Sequence, residues 1–484
     1  VVRLVARGGG AGVVAALLVA MASFAGADTT ERLVTSGNRS ALNLTIYNGG
    51  PSGGTALVHD TRHVELHGGL EHLAWRDVSA QIQPETAILV SPSRPDSIRM
   101  LEQNFDYDVL QPDAILDKYV GQDVVVVHGN VPGLPYSEHA KLLSNLNGVV
   151  LQYADRIETS VVGRIVFPKL PAGLRDKPTL ILDVDERAEG SQDLDLAYLT
   201  GGLSWHADYV GTVSADERNL NLSGLITLSN QSGTSFPNAR LQLVAGNVNI
   251  VSSRTNGAPM KTEVTYQYDG VSFNEPFREQ SYFEYHLYTL GRPTSILNNQ
   301  TKQISLLRAR NIPLRKTLEM RGGSQYYENG TQDLGEHVKL GVYLTFTNKN
   351  GELGIPLPAG TVRLYKKDAG GTGQFLGSDS IDHTPRNEDV RLHVGDSFDV
   401  TARRKQTNFH NAGNGTFDSS YEFVISNAKN TSQDVLVVEP IPGEWQILAE
   451  SAPHKKTSSA TASWHLRVPA NGKTTLTFTA EVKY

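Results

Sequence analysis

The chain has 484 residues, a formal net charge of −7 spread along its length, and no cysteine. Without cysteine there are no disulfides, thiolate metal sites, iron–sulfur clusters or thiol nucleophile, so stability must come from ordinary apolar cores. No basic patch is present, which removes the electrostatic footprint of a nucleic-acid binder.

Residues 1–27 read as a secretory signal peptide: Arg3 and Arg7 open it, an apolar run covers residues 11–24, and Ala25-Gly26-Ala27 gives a small-x-small cleavage site before Asp28. A membrane anchor is the alternative, but a spanning helix needs about 20 consecutive apolar residues. No later stretch reaches that length, so no transmembrane segment is expected after signal cleavage. The remaining length suggests about three domains, placed at 28–193, 194–325 and 326–484. Abundant glycine and proline, with helix-period patterns almost absent, predict a mainly β chain: tandem antiparallel β-sandwich domains after a smaller β-rich N-terminal region with one short helix.

Gly50-Pro51-Ser52-Gly53-Gly54 matches the letters of a nucleophile elbow, which needs a helix after the serine. The residues that follow, 55–58, read as a strand, so hairpin-loop chemistry is the better explanation. On that strand His59, His63, Glu65 and His67 share one face. His59 and His67 would stand about 26 Å apart at strand rise, so one ion cannot collect all four. They are read as a solvated polar face, and no metal or other cofactor is expected.

Pro112-Asp113 opens the single predicted helix, which Gly121 closes. The strands that follow, at 123–128, 140–144, 149–153 and 164–167, can close into a small barrel. Asp183, Asp185 and Glu189 invite a calcium loop, but Arg187 and Ala188 stand where a ligand and the required glycine belong. A hairpin between 179–183 and 193–199 accounts for them instead.

Strands are further predicted at 194–199, 207–213, 220–229 and 240–244. Tyr282, Phe283, Tyr285, Leu287 and Tyr288 read as core. Residues 322–336 lack periodic apolar positions and are expected to form a protease-sensitive boundary. Alternation resumes at 338–347, 361–365, 397–402, 421–426 and 434–438, and the glycine-rich loop 368–377 lacks the lysine-serine pair of a phosphate cradle. At the end of the chain Ala462, Trp464, Leu466 and Val468 alternate inward, as do Leu476, Phe478, Ala480 and Val482; the turn 469–472 suggests a hairpin with one buried face.

The run Tyr198-Leu199-Thr200-Gly201-Gly202-Leu203-Ser204-Trp205-His206-Ala207-Asp208-Tyr209 resembles a secreted bacterial family of unknown function, domain-of-unknown-function family 4139. The resemblance continues through Asn238 to Gly246, Asn299 to Gln303 and the closing Val468-Pro469-Ala470-Asn471-Gly472, and Val58-His59-Asp60-Thr61-Arg62 upstream is similar to such proteins. The family carries no assigned reaction. Some of its members are labelled mucoidy inhibitors, so the resemblance implies a cell-envelope setting, and His206 departs from the basic residue expected there.

Gly201-Gly202 predicts a bend of closely approaching backbone. Trp205 and Tyr209 then share one strand face while His206 and Asp208 share the other, and these four are the candidate ligand site. Because each catalytic pattern fails its structural context, the expected function is non-catalytic: an exported protein of the periplasm or envelope, or released outside the cell, binding protein or glycan partners. An exported hydrolase using carboxylates or histidine is the alternative.

Overall fold

The computed structural model describes residues 31–484 apart from 49–53, 107–110, 130–135, 170, 172–173, 188, 247, 249–276, 328–329, 331–333, 336 and 350–352. The expected signal peptide and most of the Ser52 loop therefore lie outside the described residues. Strand makes up 66% of the structure, and Pro112–Tyr119 is the one α-helix among the described residues. Proline at its first turn and Gly121 at φ +83° just beyond it mark its two ends.

An eight-stranded sheet forms the centre. Its path runs from Phe277–Tyr282 through Tyr285–Leu290, Phe236–Ala245, Arg39–Tyr47, Thr55–Leu66 and Gly190–Gly201 to Ile88–Val90. Strands on both sides of position 193 thus share one sheet. A four-stranded sheet of Arg32–Val34, Gly69–Arg76, Thr179–Glu186 and Ile98–Asp106 packs beside it, as does a five-stranded sheet of Gln300–Pro313, Asn219–Asn230, Leu203–Val213, Gly360–Lys367 and Gly373–Ile381. All three contribute to one core that reaches from Val34 to Leu392 and includes Trp75, Tyr198, Trp205, Tyr209 and Tyr288. Four strand pairs are parallel, so the sheets are mixed rather than purely antiparallel.

A nine-stranded sheet builds a second core around Tyr327, Tyr421, Phe423, Trp464 and Phe478. Two of its strands, Val338–Thr347 and Asp389–Gly413, pass from one core to the other. Leu344, Phe346, Val390 and Leu392 lie in the first core, whereas Leu340, Val400 and Ala402 lie in the second. Bulges at Lys339/Gly341 and Val342/Tyr343 bend this ribbon between them.

Four expectations need correction. The strands after the helix form an open five-stranded sheet, with Ile157–Glu158 and Arg164–Val166 at its two edges, so no barrel closes. A separate small core around Tyr119, Val126 and Leu142 supports it without closure. Thr179–Glu186 and Gly190–Gly201 are not a hairpin: the first pairs with Gly69–Arg76 and Ile98–Asp106, the second with Thr55–Leu66 and Ile88–Val90, so the chain changes sheet at the acidic turn.

At the C-terminus the buried faces are as expected, but Thr461–Val468 pairs with Gln433–Pro440 while Gly472–Lys483 pairs with Thr416–Asn427 and Glu444–Glu450. The turn is an arch between two layers, and Trp464 stacks on Phe478 across the core at 4.6 Å. Asn427 secures the arch by donating to the Val468 and Pro469 carbonyls. Finally, residues 322–336 do have apolar anchors, because Tyr327 and Leu334 are buried in the second core.

Candidate functional site

The turn into Leu203–Val213 is built on Gly202, at φ +75°, where a Cβ would stand 2.8 Å from the Ser232 Cα. Only glycine tolerates both the conformation and the approach. Beyond the turn, strand alternation divides the four expected ligand residues between two environments. Trp205 and Tyr209 are core: the indole N–H donates to the Ile46 carbonyl at 3.0 Å and the Tyr209 hydroxyl to the Pro358 carbonyl at 2.8 Å. Burial holds the Tyr209 hydroxyl well above the usual phenol range, so it stays neutral.

His206 and Asp208 face the other way. Asp208 accepts from Thr227 Oγ1 at 2.6 Å and from Arg363 Nη1 at 2.7 Å, with His206 Nε2 at 3.1 Å. Burial opposes ionisation of Asp208, yet Arg363 and Thr227 outweigh it and keep the carboxyl below its ordinary range. The positive charge beside Asp208 thus comes from Arg363 on the parallel neighbouring strand.

The histidines of Thr55–Leu66 are each taken up separately. His59 meets Asp195 at 2.8 Å, His63 meets Asp193 at 3.1 Å, and His67, just past the strand, meets Arg32 at 3.0 Å. Among the described residues no group of three or more His, Asp or Glu gathers in a metal-holding arrangement. The same strand explains the Val58-to-Arg62 motif: Asp60 and Arg62 point into the core. Arg62 Nη2 contacts Asp60 at 2.6 Å, its Nη1 donates to the Val34 and Arg76 carbonyls, and its guanidinium lies 4.7 Å from the Trp75 ring centroid. Arg39 closes the pair from the next strand at 2.7 Å. This motif is a buried structural clamp. In the glycine-rich loop near Gly371, Asp368 Oδ1 itself accepts from the Gly370 and Thr372 amides, and those amides are no longer offered to a phosphate.

A pocket of about 500 Å³ lies where the hairpin of Phe277–Tyr282 and Tyr285–Leu290 meets the segment around Pro356 and Pro385. Its central group is Glu279, a largely buried carboxylate held by His286 Nδ1 at 2.8 Å and by Arg386 Nη2 at 2.5 Å. Gln280 and Ser281 also line it, and Ser281 stands directly opposite His286 in the strand register. The wall is fixed by Tyr288, whose hydroxyl donates to the Pro356 carbonyl at 2.8 Å. Nearby, the Ala359 amide donates to His383 Nδ1, and burial lowers the His383 pKa.

Sequence reasoning did not find this pocket, because Glu279 and Arg386 are 107 residues apart. The one signal was the aromatic run beside Glu279, and that run is only partly core. Leu287 and Tyr288 are buried, but Tyr282 is 52% and Phe283 83% exposed at the hairpin tip, where Phe283 takes φ +54°.

Fold and site together define a mainly β, cysteine-free protein with interlocked sheets and a pocket that sets the Glu279, His286 and Arg386 side chains beside two prolines. The family profile described as Domain of unknown function (DUF4139) matches residues 194–484, more than half of the chain. The chain belongs to that family, and the pocket lies within the matched region. No curated protein matches the chain.

Proposed function

We propose that this DUF4139 protein is exported to the cell envelope and serves there as a non-catalytic binding or structural module for a glycan or protein partner. The observation that carries this reading is the pocket around Glu279 and Arg386: two distant segments meet with their polar groups locked by hydrogen bonds, an arrangement suited to holding a ligand. The other histidine–aspartate pairs described above are spent on one another, His63 with Asp193 at the surface and His59 with Asp195 in a part-buried contact. The leader-like sequence and the family resemblance support an envelope setting.

A second reading, an exported hydrolase, draws on one specific observation. His286 is oriented by Glu279 through Nδ1, and Ser281 faces it across the hairpin, which are the residue types of a carboxylate-histidine-serine relay. No hydrogen bond joins Ser281 to His286 in the structure, where the ring is held by Glu279. The two readings separate by experiment: purified protein should retain peptidoglycan, envelope polysaccharide or an envelope protein, with no turnover of generic ester, peptide or glycoside substrates. Turnover lost in Ser281→Ala would overturn the binding reading in favour of the hydrolase.

A further inference from the structure

We infer that Lys316, Lys366 and Lys429, gathered around Glu217, form a second ligand site that receives a singly charged phosphodiester group. The site shares no residue with the Glu279 pocket, so the two stand or fall separately.

It is assembled where the two cores meet. Lys316 lies between Leu314 of the first core and Leu318 of the second. Glu217 sits in the turn between Leu203–Val213 and Asn219–Asn230, Lys366 stands opposite Val213 in the parallel register, and Lys429 lies on the arch between Thr416–Asn427 and Gln433–Pro440. Lys316 Nζ meets Glu217 Oε2 at 2.6 Å and Lys366 Nζ meets Oε1 at 2.7 Å, so the two ammoniums flank a single carboxylate. Glu217 takes φ +62°, a left-handed conformation that glutamate rarely adopts. Such strain is kept where the side chain must be aimed. Burial opposes ionisation of Glu217, yet Lys316 and Lys366 carry its pKa down to about 2. Asp216 is spent inside its own turn, accepting from Ser214 Oγ and the Arg218 amide.

A structural clasp accounts for Glu217 and the first two lysines, but it leaves Lys429 unexplained. The backbone of Lys429 is bonded to Asn427 Oδ1 and the Asn471 amide, whereas its half-buried side chain has no hydrogen-bond or ion-pair partner among the described residues. Burial pushes its pKa down, and Lys316 and Lys366 add to that push against Glu217 and Asp399. Sheltering an ammonium beside two others without a counter-ion is unfavourable, and an anion entering among the three removes that cost.

Shape and charge specify the anion. Three ammoniums offer N–H groups from three separate elements. A phosphate presents oxygens in several directions, whereas a carboxylate presents two in one plane. Lys316, Lys366 and Lys429 set against Glu217 and Asp399 leave one positive charge in surplus. A phosphodiester cancels that surplus; a doubly charged phosphate exceeds it. The Lys316 and Lys366 side chains remain 23% and 26% exposed, which leaves the group a way in.

Calorimetry of the full chain with glycerophosphoglycerol, at a constant ionic strength of about 0.15 M, tests this. Saturable binding is expected in the millimolar range, about tenfold or more weaker in Lys429→Met and retained in Lys429→Arg. Lys429→Met should also raise the thermal midpoint of the ligand-free chain, because the unpaired ammonium is gone. Both variants leave the Glu217 clasp intact, and circular dichroism verifies that they fold. Vesicle sedimentation then identifies the carrier. If phosphatidylglycerol vesicles bring down the wild-type chain but not Lys429→Met, the diester belongs to a lipid headgroup; if only the soluble diester binds, it belongs to a polymer. Four results overturn the inference: no saturable binding up to about 20 mM, equal affinity in Lys429→Met, a lowered midpoint in that variant, or tighter binding of inorganic phosphate at about pH 8. The lowered midpoint would make Lys429 a packing residue.

Discussion

Asp60 is buried, and burial alone would raise its pKa, but Arg39 and Arg62 overcome that cost and hold the carboxyl below its ordinary range. Removing one member of such a pair leaves an uncompensated charge inside the protein, a loss of about 3–5 kcal/mol. Arg62→Met should therefore lower stability by about that amount in urea titrations, and adding Asp60→Asn should recover part of it. A double variant as unstable as the single one would place the cost in lost Trp75 and carbonyl contacts rather than in the stranded carboxylate.

Glu439 presents the opposite case. It is fully buried in the second core, accepts from the Tyr327 hydroxyl at 3.1 Å, and lies so close to Gly322 that any Cβ there would collide with its carboxyl. Burial pushes its pKa from 4.5 up to about 8, against the pull of Arg404. The folded protein keeps this proton while an unfolded chain releases it near the ordinary value. The associated stability is thus complete below pH 4.5 and is lost as pH rises toward 8, at about 1.4 kcal/mol per pH unit in the steep region. Glu439→Gln should remove that slope, so the variant gains on the native protein between about pH 5 and pH 8. Parallel stability curves for the two proteins would contradict a proton held at this site.

At the level of single elements, strand positions were legible and strand partners were not. Alternation placed Val338–Thr347 and Asp123–His128 at their observed limits, and proline with a following glycine placed the helix. The inward sets around Trp464 and Phe478 were also correct. A period of two reports which face of a strand is buried but does not identify its neighbour. An arch between two layers and a hairpin within one layer present the same alternation, which is why the turn at 469–472 was misread. The pocket was less accessible still, because the Glu279–Arg386 contact depends on a tertiary crossing that no local pattern encodes.

For the whole molecule, the main consequence concerns the segment expected to separate two domains. Tyr327 and Leu334 fasten it, and downstream of it Gly360–Lys367 returns to lie parallel to Leu203–Val213 in the five-stranded sheet. A protease site engineered after Gly330 should therefore yield two fragments that co-elute on size exclusion in native buffer and part only in denaturant. Fragments that separate without denaturant would mean that the shared sheet contributes little to holding the halves together.

The parallel pairing of Arg39–Tyr47 with Phe236–Ala245 has a bearing on how the molecule is made. Thr45 reaches its neighbour Gln242 across 197 positions of sequence. During synthesis the earlier strand emerges at about 5–20 residues per second and must wait on the order of ten seconds or more for the later one. Throughout that interval one edge of an apolar ribbon is open to any passing strand. The chain therefore has a built-in period of vulnerability before that pairing closes, during which a holding chaperone would protect it.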